Sequence, residues 1–287
     1  MKKILLITGI FMNICVLQAQ IENEFIISAS GGISALHYKS EVANASTGFG
    51  GSFGAGYVYF FNDRWGISTG IEAALYRADA QSDNLHVEYP IATPAGLQGN
   101  FFLRANYERF KETHSTILLQ IPVMLQFQVP VTKKFGYSDT DLFYVAAGFK
   151  LAFPVSAKYN QSSTSVTTSG YSDYTEQTYE RMPNHGFTAY ESVKSSGSLD
   201  FGLAYMLAFE CGMKWHTSGK NFLYTGIYSD YGLNNINKED AHELLVYTAS
   251  APSEYRYNSF LQSQSGNQPL VDKVSLFAIG IKLKWSF

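Results

Sequence analysis

The sequence predicts an all-β protein, an antiparallel up-and-down transmembrane β-barrel of eight strands with short periplasmic turns and long extracellular loops. Three observations predict this fold: strands with apolar residues at every second position, connections that alternate between short and long, and an aromatic last residue. The clearest strand is SLDFGLAYMLAFECGMKW, in which nine alternate residues from Leu199 to Trp215 are apolar. A strict period of two indicates a strand, and this one exceeds the usual length of about 5–6 residues. Its length suits a tilted strand that crosses a bilayer.

The N-terminal stretch MKKILLITGIFMNICVLQAQ has the order of a secretory signal peptide. Lys2 and Lys3 precede an apolar segment, and the small residue Ala19 ends it. We therefore expect a signal peptide over residues 1–19 and a mature barrel domain over residues 20–287. Cleavage would make the formal net charge of −3 two units more negative. It would also leave Cys211 as the only cysteine, so no intramolecular disulfide is expected. A mildly acidic chain without a basic cluster argues against nucleic acid as a partner.

Seven further runs alternate in the same way as Leu199 to Trp215. They are Phe25 to Tyr38, Gly48 to Asn62, Arg64 to Ala78, Thr116 to Val129, Asp141 to Tyr159, Asn221 to Gly232 and Val274 to Phe287. A large secreted β-sandwich is less favoured, because polar residues would then be expected on the exposed face of most strands. Ten strands are an alternative, since NFFLRANYERF from Asn100 is strand-like. The same stretch would otherwise extend the fourth strand above the membrane.

The connections between these runs alternate in length. The shorter ones are Asn62-Asp63, Pro130 to Thr140 and His216 to Lys220, and the others are Lys39 to Thr47, Asp79 to Ser115, Asn160 to Gly197 and Leu233 to Asp272. Outer-membrane barrels have short periplasmic turns and longer outer loops. We therefore expect an outer-membrane location, with lipid as a partner and both chain ends in the periplasm. The last strand would pair with the first, which leaves no unpaired edge in lipid.

The stretch STILLQIPVMLQF, Ser115 to Phe127, resembles a strand of the small outer-membrane barrels of Bacteroidetes, in which an Ile-Pro pair interrupts a hydrophobic run. The stretches LFYVAAGFKLAF, LDFGLAYMLAFECGMKW and YSDYGLNNI are similar to later strands of that family. The chain resembles the PorT-type barrel, a relative of OmpA-like eight-stranded barrels. The resemblance implies the fold and permits a role as an accessory component of a secretion machine. The terminal Phe287 resembles the C-terminal aromatic residue of outer-membrane proteins, which implies that the barrel assembly machinery recognises it.

An eight-stranded barrel is just wide enough inside for side chains to fill it. The alternation directs charged residues of both signs into this lumen. They are Glu72, Lys150, Asp200, Glu210, Lys214, Asp230, Lys282 and Lys284, accompanied by Gln120, Gln126 and Gln128. Buried charges need partners, so we expect a neutralising network that plugs the barrel, with Glu210 and Lys282 as the preferred pair. The alternative is a gated pore for small solutes.

The sequence predicts no catalytic, cofactor or metal site. His216 and Ser218 resemble the His-x-Ser of lipid A deacylase barrels, but the predicted topology puts them on a periplasmic turn of ordinary turn composition. Four other histidines lie in the predicted loops, and their spacing in the sequence does not match that of metal ligands. They are His86, His114, His185 and His242. We therefore expect no enzyme and no cofactor.

Tyrosines are concentrated in the two longest late loops. They are Tyr171, Tyr174, Tyr179, Tyr190, Tyr247, Tyr255 and Tyr257. Tyrosine gives adaptable contact area, so these residues could recognise a protein or glycan partner. They could equally make the loops rigid or form the aromatic girdle at the membrane edge. The expected protein is a monomer with a structural or surface-interaction role.

Overall fold

A computed structural model describes residues 23–94, 96–131, 141–218, 221–238, 242–248, 251, 254–266 and 268–287, and in them eight long strands form a closed antiparallel ring. The strands are β1 (Asn23–His37), β2 (Phe49–Phe60), β3 (Trp65–Ile91), β4 (Phe101–Pro130), β5 (Leu142–Ser172), β6 (Ala204–Ser218), β7 (Asn221–Gly232) and β8 (Ser275–Ser286). Each strand pairs with the next, and β8 pairs with β1. The predicted eight-stranded barrel is confirmed. The ten-stranded alternative is wrong, because Phe101 to Phe110 is the first part of β4.

The seam between the first and last strands closes the barrel. The register runs from Ile26 opposite Ser286 to His37 opposite Ser275. Beyond it, the Phe25 amide donates to the Phe287 carbonyl at 3.1 Å, and the Phe287 amide donates to the Phe25 carbonyl at 3.0 Å. Closure removes the unpaired edges that an open sheet would present.

An apolar band covers the outer surface of the ring. Large side chains on its strands are strongly exposed, including Phe53 at 65%, Phe149 at 62% and Ile281 at 64%. At the end with the tight turns, the band finishes in aromatic residues. These include Phe25, Trp65, Phe127, Trp215 and Trp285. A continuous belt of this kind is much larger than the apolar patches of soluble monomers, which rarely exceed a few hundred Å². It has the composition of the lipid-facing band of a membrane barrel, aromatic girdle included.

Three adjacent strands continue well past the apolar band. β3, β4 and β5 contain 27, 30 and 31 residues, whereas the other barrel strands contain 12 to 15. We call the projecting part the blade. It comprises residues 77–91, 101–115 and 158–172 together with the strand Ala189–Ser198, which pairs with β5. The expectation that Asp79 to Ser115 and Asn160 to Gly197 form loops was therefore mostly wrong.

The inner face of the blade is covered by the described part of residues 233–274, which we call the cap. The described parts of the cap contain the 3₁₀ helix Phe260–Gln262 and short strands. The strands are His242–Glu243, Leu245–Val246, Arg256–Tyr257, Ser263–Ser265 and Gln268–Pro269. Blade and cap share a hydrophobic core of completely or almost completely buried residues, which includes Leu85, Val87, Leu103, Tyr107, Phe260 and Leu261. This core begins in the lumen, at residues such as Tyr76 and Met206, and extends to the end opposite the tight turns.

Smaller elements complete the structure. The short strands Asn44–Thr47 and Gln177–Tyr179 pair with β3 and β5, and a 3₁₀ helix spans Pro183–His185. In the predicted turn at Asn62, the side-chain Oδ1 accepts hydrogen bonds from the Arg64 amide at 2.9 Å and the Trp65 amide at 2.8 Å. The predicted signal peptide, residues 1–19, lies outside the described residues, as does most of the predicted turn from Pro130 to Thr140. Within the described ranges, no helix is long and apolar enough to cross a membrane.

Candidate functional site

The lumen holds the largest set of buried charges in the described chain, four carboxylates and four lysines, which we call the luminal network. Its members are Glu24, Glu72, Glu210, Asp230, Lys150, Lys214, Lys282 and Lys284, and each is at most 5% exposed. Seven of these were predicted from the alternation of the strands, and Gln120, Gln126 and Gln128 are also buried, as expected. Equal numbers of acids and bases make the network formally neutral.

Six members form one continuous chain of ion pairs. Glu210 contacts Lys284 and accepts a hydrogen bond of 2.7 Å from Lys282, so the preferred pair is confirmed. Lys282 also reaches Glu72 at 2.5 Å. Lys150 connects Glu72 at 3.2 Å with Asp230 at 2.8 Å. Every ammonium in this chain has at least one carboxylate partner, as burial requires.

The other two members meet nearer the tight-turn end. Lys214 pairs with Glu24, and its ammonium also donates to Gln128 at 3.3 Å. The Tyr224 hydroxyl donates to the second Glu24 oxygen at 2.6 Å. The Lys214 ammonium lies 4.2 Å from the centroid of the Phe222 ring, a cation–π distance. Sequence reasoning missed Glu24 because the predicted strand began at Phe25. The alternation of the strand could have revealed it, because Glu24 stands two residues before Ile26 and four before Ser28 and therefore lies on the same inward face.

Asp200 does not belong to the luminal network, contrary to the prediction. Its side chain is 58% exposed and lies 3.7 Å from Lys238, which is itself 56% exposed. The barrel strand begins only at Ala204, and the preceding Phe201 forms an isolated bridge with Asn237 of the cap. The alternation of the sequence continues to Leu199, but there the apolar side chains enter the blade–cap core instead of the outer band.

Aromatic side chains fill much of the remaining lumen. Tyr144 and Tyr224 are completely buried, and their ring centroids are 5.0 Å apart in an edge-to-face arrangement. The Lys284 ammonium lies 5.4 Å from the Tyr144 ring. A cavity of about 40 Å³ remains beside Glu210 and Lys282. A cavity of this size holds only a few water molecules. The arrangement therefore fills the barrel at the level of the charges.

A buried polar cluster joins the cap to the blade, and we call it the Glu112 cluster. The Glu112 carboxylate accepts hydrogen bonds from the Ser259 hydroxyl at 2.5 Å and from the Phe260 amide at 3.0 Å. His114 Nε2 lies 2.7 Å from the same carboxylate. Glu112 and His114 are 0% exposed and Ser259 is 3% exposed. Glu112 thereby fixes the start of the helix Phe260–Gln262 to β4. This is not the order of a catalytic triad, because a carboxylate and not the imidazole binds the serine hydroxyl.

The outward face of the blade contains a polar depression that we call the outer groove. It measures about 630 Å³ and is lined by Asn84, His86, Arg104, Asn106, Thr167, Ser169, Thr178 and Glu180. Arg104 is fixed within it. Its Nε donates to Glu88 at 2.5 Å, and its guanidinium lies 4.2 Å from the centre of the Tyr171 ring. Amides, hydroxyls and a guanidinium stacked on an aromatic ring offer both donors and acceptors to a polar ligand.

The loop tyrosines mostly stabilise the blade and the cap. Tyr255 packs against Tyr190 at 5.5 Å and against Tyr247 at 6.1 Å, measured between ring centroids. Burial raises the pKa of Tyr257 to about 12, with the nearby Tyr190 adding to the effect. Tyr174 differs, since it is 71% exposed. Most of these tyrosines therefore have a structural role, as packing partners within the blade and the cap.

Of the residues considered for catalysis and metal binding, His216 lies at the tight-turn end of β6. The His216 ring packs against Phe222 at 5.4 Å, and its amide donates to Asp141 at 3.1 Å. The side chain of Ser218 lies outside the described part of the structure. In the portion of the chain that the structure describes, no three His, Cys, Asp or Glu side chains are placed to hold a metal ion.

No protein-family model matches the chain, and no curated protein matches it in sequence. Among solved structures, the chain is similar to Ail, the attachment invasion locus protein of Yersinia pestis, with 13% sequence identity and a TM-score of 0.26. The alignment covers 93% of this chain and 99% of Ail. The barrel assignment itself rests on the closed ring of strand pairs and the exposed apolar band.

Proposed function

We propose that this protein is an integral outer-membrane barrel with a filled lumen, which presents the blade and the cap at the cell surface as a binding structure. The blade is the observation that carries this proposal. Three neighbouring strands extend far beyond what a bilayer crossing needs, and the hydrophobic core that they share with the cap makes them rigid. A rigid projecting sheet is a suitable support for a binding surface, because recognition residues are commonly held by a stable scaffold.

The proposed membrane placement follows from the barrel surface. The apolar band matches the hydrocarbon layer, and the aromatic residues at the tight-turn end match the interfacial girdle of membrane barrels. In outer-membrane barrels the short turns face the periplasm. The blade and the cap would then face the outside. Residues 1–19 would serve as the export signal, and Phe287, which pairs with Phe25 at the seam, would serve as the assembly signal.

A transport role has less support than a binding role. The luminal network is neutral and completely paired in its central chain, and Tyr144 and Tyr224 fill the space beside it. We also propose no catalytic role, because the buried Ser259 hydroxyl of the Glu112 cluster binds the carboxylate and not the His114 imidazole.

The first test of the proposal is single-channel conductance. We expect refolded mature wild-type protein to give no steady conductance in a planar bilayer, because the cavity beside Glu210 is only about 40 Å³. A sixteen-stranded porin in the same bilayer would show that pores are detected, since such barrels leave an aqueous channel. Insertion is checked separately by heat-modifiable gel migration. A clear wild-type conductance would favour the pore alternative.

The second test concerns the outer groove, for which a glycan is the ligand that fits best. Its amide, hydroxyl and guanidinium groups suit the hydroxyls of a sugar. The Arg104 guanidinium stacks on the Tyr171 ring, which in turn packs against Phe102. We expect wild-type protein to retain a glycan from an array and Asn106→Ala to lose it. Gln81→Ala is the matched control, because Gln81 is an exposed amide of the blade outside the groove. Equal retention by both variants would exclude the outer groove as the binding site.

The resemblance of Ser115 to Phe127 to a PorT-type strand keeps one alternative in place. An accessory component of a secretion machine would use the periplasmic end or the barrel wall to bind its partners. A stoichiometric complex in mild detergent extracts, retained after removal of the outer groove by substitution, would favour that alternative over surface recognition.

A further inference from the structure

Where the apolar band ends on the blade side, the outward-facing residues change abruptly from apolar to basic and hydroxyl-bearing. On β3, Leu75 is followed two positions later by Arg77. On β5, Val155, which is 67% exposed and lies at a bulge, is followed three positions later by the exposed Lys158. On β4, Ile117, which is 46% exposed, is preceded by Ser115. The change therefore occurs just past the last outward-facing apolar residue of the band on each of three neighbouring strands.

Four cations of this region lie on one continuous stretch of sheet, and we call them the basic patch. They are Arg77, Lys111, Lys158 and Lys194, and all four are exposed. The strand register defines two rows across the sheet. The first row contains Arg77, Ser115, Lys158 and Ser198, and the second contains Gln81, Lys111, Ser162 and Lys194. Since neighbouring strands are about 4.8 Å apart, the two cations within each row are separated by on the order of 10 Å.

The charge of the basic patch is largely uncompensated. Asp79 lies on the same face and is 3.9 Å from Lys111, with both side chains partly exposed. No carboxylate in the described ranges forms an ion pair with Arg77, Lys158 or Lys194. Uncompensated surface cations attract anions, most strongly where several lie close together.

A depression between the rows supplies further hydrogen-bond donors. It measures about 420 Å³ and is lined by Lys111, Thr113, Asn160, Gln161, Ser162, Lys194, Ser195 and Ser196. Two ammonium groups surrounded by hydroxyls and amides suit a phosphate oxygen, because charge-assisted bonds are roughly twice as strong as neutral ones.

We propose that the basic patch binds the phosphate groups of an anionic lipid headgroup in the leaflet around the blade end of the barrel. The position of the patch selects a lipid over a soluble anion. Headgroup phosphates lie just outside the hydrocarbon layer, at the level where the exposed Val155 and Ile117 give way to Lys158 and Ser115. This inference rests on the proposed membrane placement, but it is independent of the glycan-binding role of the outer groove.

The test measures lipid retention by native mass spectrometry. Full-length mature protein is refolded in phosphatidylcholine nanodiscs containing a small fraction of lipid A, and retained lipids are counted after release. We expect wild type to retain lipid A in preference to phosphatidylcholine. Lys158→Gln with Lys194→Gln should weaken retention by about 25-fold, since each basic residue near a lipid surface contributes roughly fivefold. Dephosphorylated lipid A should be retained no better than phosphatidylcholine.

The matched control is Lys238→Gln with Lys273→Gln, which removes the same charge from exposed lysines of the cap. These lysines contact Asp200 and the Leu233 carbonyl, outside the basic patch. We expect this variant to retain lipid A like wild type. Equal losses in both variants would mean general electrostatic attraction and would overturn the proposed site, as would equal retention of the phosphorylated and dephosphorylated lipids. Failure of wild type to insert into nanodiscs would instead contradict the membrane placement in the proposed function.

Discussion

Replacement of Glu210 by alanine is expected to destabilise the barrel by about 3–5 kcal/mol, the usual result of removing one partner from a buried ion pair. Glu210 is the carboxylate that Lys282 and Lys284 share, and its side chain is 1% exposed. Without it, Lys284 has no carboxylate partner among the described residues, and Lys282 retains only Glu72. The free energy of unfolding can be measured by urea titration in lipid vesicles, with the fluorescence of Trp65, Trp215 and Trp285 as the signal.

Asp200→Ala is the control for this measurement. The sequence predicted both acidic residues in the lumen, but the structure leaves the Asp200 side chain 58% exposed beside Lys238. Exposed ion pairs contribute about 0–1 kcal/mol, so the Asp200 variant should unfold almost like wild type. Similar effects of both substitutions would mean that water hydrates the lumen and that the network contributes little to stability. That outcome would also revive the pore alternative.

The difference between these two residues shows what alternation in a sequence can determine. Within a barrel strand, the period of two fixes the face of every residue, because side chains alternate strictly between the two sides. Seven members of the luminal network were predictable for that reason. Alternation does not reveal what lies opposite each face. At Leu199 and Phe201 the apolar side chains continue to alternate, but they contact the cap core and not the outer band.

The blade illustrates the same limit. In NLHVEYP, Leu85, Val87 and Tyr89 alternate with His86 and Glu88, which is a strand pattern within the segment predicted as a loop. In the barrel strands the apolar face points outward, whereas in this part of the blade the apolar face points inward. Its meaning depends on the cap, which is more than a hundred residues away in the sequence. Short-range patterns cannot specify that contact, because it is fixed by tertiary packing.

The Glu112 cluster was missed for a related reason. In the sequence, Glu112 and His114 fall within the predicted loop from Asp79 to Ser115, and only the register of β4 puts them on the inner face. Their partner Ser259 belongs to the cap, so the cluster forms only when the chain folds back over the blade. Such a polar contact across a large sequence separation has no local signal.

Replacement of Glu112 by alanine is expected to loosen the cap while leaving the barrel intact. The Ser259 hydroxyl, the Phe260 amide and His114 would lose their common partner inside a core where water cannot replace it. A buried polar group without a partner costs about 1–3 kcal/mol, so the cap should lose several kcal/mol of local stability. Hydrogen exchange of the Phe260 amide should accelerate by about a hundredfold or more, because each 1.4 kcal/mol corresponds to about tenfold in the opening equilibrium.

The matched control is Glu108→Ala on the same strand. Glu108 is exposed and accepts a hydrogen bond from the Ser165 hydroxyl at 3.0 Å, so its loss should leave exchange in the cap unchanged. Glu112→Gln should give an intermediate effect, since the amide oxygen can still accept from Ser259 or Phe260. Unchanged exchange in Glu112→Ala would show that hydrophobic contacts hold the cap by themselves, above all the Phe110 and Phe260 rings with centroids 5.7 Å apart. Accelerated exchange confined to the cap would show that one buried carboxylate fixes the surface structure to a barrel that is stable without it.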